Sequence, residues 1–218
     1  MKRIFILLFM FSSNMLFASQ DENRSFQFGI LVGIQSTHFS DVFPRSVLSF
    51  KPGFIADYKL DRKWTFRTGL NYSQQSGNGE KIEQTIIQNP EGTGEYFWLV
   101  SKFHYLELLL HLNYSFQVSS MSFNISGGPI IRYLMSIYEN IDSDFKWDIG
   151  KQNIIQDKVH KYDLSLGTAI STHFAILNNF DLEFGVFYSQ GIIELLKDKT
   201  EGISLKTRSV GIFTVLKI

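Results

Sequence analysis

The fold of this chain is decided by residues 106–133, LELLLHLNYSFQVSSMSFNISGGPIIRY. Two segments of this stretch carry an apolar residue at every second position, and the short polar link between them runs from Gln117 to Ser120. Successive side chains of a β-strand point to opposite faces of the sheet, so this alternation predicts strands that are apolar on one face only. A link this short makes the two strands an antiparallel hairpin.

The same alternation recurs from Ser25 to the end of the chain and predicts eight strands. Counted between their first and last apolar residues, they span 26–34, 50–60, 64–72, 106–116, 123–133, 162–174, 180–188 and 210–218. These lengths suit strands that cross a bilayer at a tilt, which requires about nine to eleven residues. No later stretch contains the roughly 18 consecutive apolar residues of a spanning helix.

The charged residues of the predicted strands lie on the face opposite the apolar one. A soluble barrel places its charges outside, whereas a membrane barrel places its apolar side chains outside. Glycine and serine are also common on the polar face, as a narrow, crowded lumen requires. We therefore predict a lumenal polar network that comprises Lys51, Asp57, Arg67, Glu107, His111, Arg132, Asp163, Asp181 and Glu183.

The links between the predicted strands alternate strictly between short and long. Short links lie at Asp61-Arg62, at Gln117 to Ser120 and at Leu177 to Asn179, and long links span 36–49, 74–103, 134–161 and 190–207. Outer-membrane barrels have short periplasmic turns and long extracellular loops, so this pattern predicts which end faces out. We expect the third and fourth strands to continue beyond the membrane as a hairpin, and residues 134–161 to form a structured cap.

Aromatic residues of the apolar face concentrate at the two ends of the predicted strands. Beside the short turns lie Tyr58, Trp64, Phe116, Phe123, Phe174 and Phe180, and at the opposite ends lie Tyr72, Tyr133, Tyr162 and Tyr188. Amphipathic aromatic rings favour the depth of the lipid headgroups. The sequence therefore predicts an aromatic girdle at each membrane interface, and an outer-membrane location for an all-β, up-and-down barrel.

The first residues have the pattern of an export signal. Lys2 and Arg3 precede an apolar run from Ile4 to Phe11, and a small residue at Ala18 offers a cleavage point after Ala18 or Ser19. We predict a cleaved signal peptide over residues 1–19 and a single barrel domain over residues 20–218. The absence of cysteine excludes disulfides, thiolate metal sites and an N-terminal lipoprotein anchor.

Three of the predicted strands resemble a known family. Residues 105–114, YLELLLHLNY, resemble the YLEIPLLLKY strand of the PorT-like outer-membrane β-barrel family, which is typical of Bacteroidota. Residues 127–134, GGPIIRYL, and 68–74, TGLNYSQ, are similar to its GGPYxxYL and TGLxYxxxG strands. The order of the motifs is also the same. Leu109 and His111 depart from the proline and lysine of the first motif, and Ile218 replaces the terminal aromatic residue of other outer-membrane barrels.

This resemblance implies a barrel in the outer membrane of a Gram-negative cell envelope, inserted by the outer-membrane assembly machinery. One member of the family is associated with a secretion system, so a secretion-system or other envelope protein is among the partners that the resemblance suggests. Outer-membrane lipid is the surrounding partner that the apolar face requires. Since 21 basic and 21 acidic residues balance without a basic run, nucleic acid is not an expected partner.

The predicted lumen suggests a barrel without an open pore. Eight strands enclose a space that side chains fill, and lumenal charges of mixed sign are expected to pair. We therefore predict a non-enzymatic protein that is structural or binds a partner through its extracellular loops. No cofactor is predicted, and Glu107, His111 and His173 do not predict a metal site. Glu107 and His111 are about 13 Å apart along one strand, and His173 lies near the periplasmic end.

Two other functions remain open from the sequence. An outer-membrane hydrolase, of the protease or lipid A deacylase type, would place its catalytic groups at the outer rim, where His160 and Asp163 are the candidate pair. A soluble, lipocalin-like carrier would instead turn the apolar face inward around a lipophilic ligand.

Overall fold

Eight antiparallel strands form a closed barrel in the computed structural model, which describes residues 26–39, 43–84, 95–119, 121–143, 159–177, 180–195 and 206–218. The strands are β1 (Phe26–Phe39), β2 (Phe43–Lys59), β3 (Trp64–Gln84), β4 (Glu95–Val118), β5 (Met121–Ser143), β6 (Tyr162–Leu177), β7 (Phe180–Gly191) and β8 (Thr207–Lys217). Each strand pairs with the next, and β8 pairs with β1. The predicted eight-stranded up-and-down barrel is confirmed, with only Leu60 and Ile218 falling just outside the strands.

Three consecutive strands are much longer than the others. β3, β4 and β5 contain 21, 24 and 23 residues, against 12 in β7 and 11 in β8. The pairing of β5 with β6 ends at Tyr133 and Tyr162, while β5 continues to pair with β4 as far as Ser143 and Phe97. We call the part beyond the barrel, residues 79–84, 95–104 and 134–143, the projecting sheet.

The projecting sheet corrects one expectation and agrees with another. The predicted hairpin of β3 and β4 is present, with Gln84 opposite Glu95. The long link after Tyr133 begins as a continuation of β5 rather than as a separate cap, and its residues 144–158 lie outside the described ones. Strand alternation fades there because Ser136, Glu139 and Asn140 interrupt the apolar positions.

The apolar face of the barrel points outward. Phe28, Phe54 and Val210 are 61%, 68% and 57% exposed, whereas Glu107 and Arg132 are fully buried inside. A soluble carrier would have the opposite arrangement, so the lipocalin-like hypothesis is wrong. Outward apolar side chains and inward charges are the arrangement that a lipid environment stabilises.

The outward aromatic residues meet across neighbouring strands at both ends of the barrel. At the short-turn end, Phe116 stacks on Phe123 with ring centroids 5.8 Å apart. At the long-loop end, Tyr133 and Tyr162 lie 5.4 Å apart. These contacts place aromatic pairs at the two boundaries of the apolar band, where interfacial rings are favoured.

The lumenal face is less polar than the alternation predicts. Leu31, Ile55, Phe213 and Val215 form a buried apolar cluster inside the barrel, with Phe187 packed against it. Gly185 and Gly211 make room for the two rings, because a Cβ on either would lie 2.7 Å from a ring carbon. Part of the lumen is therefore packed like an ordinary protein core.

The turn between β2 and β3 is stabilised by its own aspartate. The backbone N–H groups of Lys63 and Trp64 both donate to Asp61 Oδ1 at 2.7 Å, and these hydrogen bonds lower the pKa of the Asp61 carboxyl. A carboxyl whose pKa is lowered by folding stabilises the barrel above its unfolded pKa, and this stabilisation is lost as the pH falls through the folded pKa.

We expect Asp61→Asn to weaken the dependence of barrel stability on pH below about pH 4, the ordinary range of an aspartate. The measurement is urea unfolding of the wild type and the variant in lipid vesicles at pH 7, 4 and 3. The wild type should lose more stability than the variant on acidification. Parallel losses in the two proteins would show that the turn contributes nothing to acid sensitivity.

Two adjacent glycines of β5 have different surroundings. A Cβ on Gly128 would overlap the backbone oxygen of Leu110 and lie 3.0 Å from His111 Cα, whereas the nearest atom to a Cβ on Gly127 is 3.7 Å away. We expect Gly128→Ala to lower the free energy of unfolding by about 1–3 kcal/mol, because β4 and β5 must move apart. Gly127→Ala should change it by less than about 0.5 kcal/mol. Equal effects in urea unfolding would contradict the close approach.

Candidate functional site

Four charged side chains meet in the half of the lumen nearer the long loops. We call Lys51, Glu107, Arg132 and Asp163 the upper quartet. Arg132 donates from Nε to Glu107 Oε1 at 2.8 Å and from Nη1 to Asp163 Oδ2 at 3.0 Å. Lys51 Nζ lies 2.6 Å from Glu107 Oε2. Arg132 also donates to three hydroxyl groups, those of Ser165, Ser189 and Thr207.

A second group of four charges lies nearer the short turns. We call Asp57, Arg67, Glu183 and Lys217 the lower quartet. Arg67 forms paired hydrogen bonds with each carboxylate, at 2.7 and 2.8 Å to Asp57 and at 3.0 and 2.6 Å to Glu183. Lys217 Nζ lies 2.9 Å from Asp57 and 2.8 Å from Glu183, so it bridges the same two carboxylates.

Each quartet contains two cations and two anions and is therefore neutral. Burying a charge is costly unless it is paired and hydrogen-bonded, and the shared bridges meet both conditions. Arg132 and Glu107 show no exposed surface, and the other members are at most 5% exposed. The quartets thus hold together strands from opposite sides of the barrel and occupy its cross-section.

The upper end of the lumen is closed by apolar side chains. Phe39, Phe103 and Tyr105 point inward here, and they form a buried cluster with Leu134, Ile137, Val159 and Leu195. Val159 and Leu195 come from segments outside the strands, which meet where the His160 N–H donates to the Leu195 carbonyl at 2.7 Å. The mouth of the barrel is therefore covered by packed hydrophobic residues.

The remaining members of the predicted lumenal network have other environments. His111 is buried at 5% exposure, and no atom of the residues that the structure describes accepts from or donates to its Nε2. It makes no hydrogen bond with Glu107, which pairs with Lys51 and Arg132 instead. Asp181 is half-buried and forms no ion pair with a described residue. Its position at the short-turn end keeps it in contact with solvent.

The rim residues do not assemble into a catalytic pair in the described part of the chain. His160 is exposed, whereas Asp163 is 2% exposed and hydrogen-bonded to Arg132, and no hydrogen bond or ion pair joins the two. His104 faces outward, where it hydrogen-bonds to Tyr72 and contacts the edge of Tyr138. No group of three or more metal-ligating side chains occurs among the described residues.

Sequence reasoning missed one charge of the lower quartet and the hydroxyl groups around Arg132. Lys217 stands on the polar face of the last strand, and its side chain reaches inward to both carboxylates. The signal that could have predicted this was its position between Leu216 and Ile218, because a residue between two outward apolar residues of a strand faces the lumen. Nothing in the sequence ties Ser189 or Thr207 to Arg132, because that contact depends on the stagger of strands around the barrel.

The comparisons with known proteins concern the whole barrel. No described helix is long and apolar enough to cross a membrane. No sequence among curated proteins matches this chain. The model of the family described as outer membrane protein beta-barrel domain matches residues 17–196.

Solved structures also match. The crystal structure of Neisserial surface protein A is 14% identical, with 90% of this chain and 100% of that chain covered at a TM-score of 0.45. Ail, the attachment invasion locus protein of Yersinia pestis, is 9% identical, with 91% and 100% covered at a TM-score of 0.44. OprG from Pseudomonas aeruginosa is 8% identical, with 90% and 97% covered at a TM-score of 0.42. The family match spans most of the sequence and agrees with the lipid-facing barrel, and the chain therefore belongs to the outer membrane protein beta-barrel domain family of the outer membrane.

Proposed function

We propose that this protein is a non-enzymatic, plugged outer-membrane barrel that binds a protein of the cell envelope through its projecting sheet. The observation that carries the proposal is the continuation of β3, β4 and β5 beyond the barrel. At about 3.3 Å per residue, the ten residues of β5 after Tyr133 extend roughly 33 Å. Leu134 and Ile137 at its base help to cover the mouth, but an extension of this length is not needed for the barrel wall, which β5 and β6 complete at Tyr133.

The composition of the projecting sheet supports partner binding. Tyr96, Phe97 and Trp98 are consecutive in β4, opposite Glu83, Ile82 and Lys81 of β3. Aromatic residues are enriched at the centres of protein interfaces. On the other edge of β5, the Leu134 N–H donates to the Lys161 carbonyl at 2.7 Å, and beyond it no described strand pairs with this edge. Such an edge can accept an extended segment of a partner by backbone hydrogen bonds.

Crosslinking in intact cells tests this proposal. A photoreactive amino acid at Tyr138, a residue of the projecting sheet that is 41% exposed, should give an adduct of discrete mass. The same probe at Phe184, which faces lipid on β7, is the matched control and should give none. Adducts of equal yield at both positions, or none at Tyr138, would overturn the proposal.

A shortened variant separates the sheet from the barrel. Residues 79–99 are replaced by Asn-Gly, a two-residue hairpin turn between Asn78 and Val100, which are paired in the ladder. The variant should still fold, so its heated and unheated samples should migrate differently on a detergent gel, as those of the wild type do. It should lose the Tyr138 adduct. An adduct that persists would show that residues 79–99 are not needed and that the partner binds the remaining part of β5, where Tyr138 pairs with Lys102.

The plug is the second part of the proposed function. Two neutral quartets and the apolar cover of the mouth support a barrel without an open pore. Purified protein in a planar bilayer should therefore add no steady ion conductance. Lasting open-channel currents would contradict the plug without bearing on the projecting sheet.

We also propose that the chain is a PorT-like protein of Bacteroidota type and that its first 19 residues are a cleaved signal peptide. The resemblance of residues 105–114 and 127–134 to strands of that family supports the first proposal, and Lys2, Arg3 and Ala18 support the second.

Residues 20–218 would then be the single mature domain, surrounded by outer-membrane lipid and inserted by the assembly machinery. The mass of the protein isolated from membranes tests the leader: a first residue of Ser19 or Gln20 is expected, and an intact Met1 would contradict it.

A further inference from the structure

A cavity lies inside the barrel between the two quartets. Its volume is about 40 Å³, which exceeds the roughly 10–15 Å³ that a single water molecule requires. Lys51 of the upper quartet and Arg67 of the lower quartet both line it, together with Asn71 and His111. Apolar side chains of the lumenal cluster, such as Leu31 and Phe213, form much of the remaining wall. We call this space the central chamber.

Polar groups that face the central chamber lack partners among the described residues. Asn71 is 1% exposed, and neither its amide nitrogen nor its amide oxygen is hydrogen-bonded to an atom in that part of the chain. His111 Nε2 is in the same position. Buried polar groups of this kind are rare in folded proteins because each costs about 1–3 kcal/mol when it stays unsatisfied. The chamber therefore requires a polar occupant.

Hydrogen-bond donors outnumber acceptors around the chamber. A lysine ammonium has three N–H groups, and Lys51 has one carboxylate partner, Glu107. Arg67 Nη1 donates to Glu183 alone, which leaves one of its N–H groups over. Asn71 adds two further N–H groups, and its only acceptor is one amide oxygen. An occupant that accepts hydrogen bonds is therefore favoured.

The charges at the chamber wall have one sign. Two cations line it, and no aspartate or glutamate of either quartet is among its lining residues. The carboxylates of the quartets do not line the chamber, so each quartet is neutral as a whole but contributes only a cation to the chamber wall. In a low-dielectric interior this local field favours an anion over a neutral molecule.

We propose that the central chamber binds a single halide ion, chloride under physiological conditions. A monatomic halide is small enough for a volume of this size, accepts hydrogen bonds from every direction and carries the charge that Lys51 and Arg67 favour. The ion accepts a hydrogen bond from the amide nitrogen of Asn71 and links the upper and lower quartets through the core of the barrel.

Bromide provides a direct test, because its anomalous X-ray scattering distinguishes it from water. Crystals of the wild-type protein grown with sodium bromide should show an anomalous peak in the central chamber, in contact with Lys51 Nζ and Asn71 Nδ2. Peaks confined to the protein surface, with ordered water alone in the chamber, would overturn the proposal.

A filled chamber provides the test in solution. Ala169 lines the chamber, and Ala169→Leu should occupy it with an apolar side chain. At constant ionic strength, replacing gluconate by chloride should raise the urea midpoint of the wild type, because a ligand that binds only the folded state stabilises it. Ala169→Leu should abolish this rise. The matched control, Ala175→Leu on the same strand, is exposed outside the chamber and should retain it.

The bromide crystals and the chloride titration can each contradict the proposal. No effect of chloride on the wild type, or the same rise in all three proteins, would contradict a chamber site. If Ala169→Leu fails to give a folded barrel, the bromide peak in the wild type decides. Partner binding by the projecting sheet does not enter either measurement.

Discussion

Replacing Arg132 by leucine is expected to lower the free energy of unfolding by about 3–5 kcal/mol, the usual cost of breaking a buried ion pair from one side. Arg132 is fully buried and binds Glu107 and Asp163. Its removal leaves Asp163 without its cation and Glu107 with Lys51 alone. A loss of this size is comparable with the whole stability of many domains, so a large fraction of the molecules should fail to fold.

Gel migration with and without heating measures the folded fraction of this variant, and urea unfolding in vesicles measures its stability. Arg132→Lys should lie between the wild type and the leucine variant, since it keeps the charge but not the planar set of donors. Arg62→Leu, in an exposed turn, is the control and should change stability by less than about 0.5 kcal/mol. Equal effects at Arg62 and Arg132 would contradict the role of the upper quartet.

Ile170→Arg is expected to lower the free energy of unfolding by about 2–4 kcal/mol, the cost of a basic side chain near the middle of the bilayer. Ile170 faces outward at 45% exposure, between the interfacial rings of Tyr162 and Phe174 on the same strand. The arginine would have to leave water for lipid hydrocarbon, and its cross-strand neighbours, Ile125 and Val186, offer no carboxylate to pair with it.

The same substitution at Ile176 provides the matched control. Ile176 also faces outward on β6, at 53% exposure, but it lies beyond Phe174 at the periplasmic interface. Because the cost falls to about 0–1 kcal/mol near the interfaces, Ile176→Arg should remain close to the wild type. Similar losses at both positions in urea unfolding would show that depth in the membrane is not what determines the cost.

The number, order and facing of the strands could be predicted because they depend on local alternation. Phe28 and Ile30 face out and Gly29 faces in because successive side chains of any single strand point to opposite faces. The two inward rings, Phe187 and Phe213, were missed because apolar residues on both faces weaken the alternation without ending it. The extension of β5 was missed because it lies beyond the lipid, where nothing requires every second residue to be apolar.

The ion pairs could be predicted as a set of charges but not as partners. Arg67 and Asp57 are opposite each other in one hairpin, which the short turn at Asp61 makes readable. Arg67 and Glu183 are 116 positions apart and meet only because the barrel closes with a particular stagger. Alternation shows which face of the sheet a residue occupies but not its height in the barrel relative to distant strands. The ion pairs of Lys217 and the central chamber could therefore not be predicted from the sequence.

The two quartets differ in when they can form. The contacts of Arg132 with Glu107 and Asp163 span 25 and 31 positions, and the whole upper quartet comes from β2, β4, β5 and β6. The lower quartet needs Glu183 of β7 and Lys217 of β8, and the 116-position separation between Arg67 and Glu183 makes it a late contact in any pathway governed by loop closure.

Until the last hairpin arrives, Arg67 has Asp57 as its only anionic partner within the lower quartet. The final pair of strands therefore brings a neutral pair of charges, of which Glu183 binds Arg67 and Lys217 binds Asp57. In an unclosed barrel Arg67 and Asp57 lack these second partners. The lower quartet thus acts as a latch: it is complete, and stabilises the barrel fully, only once the first and last strands have come together.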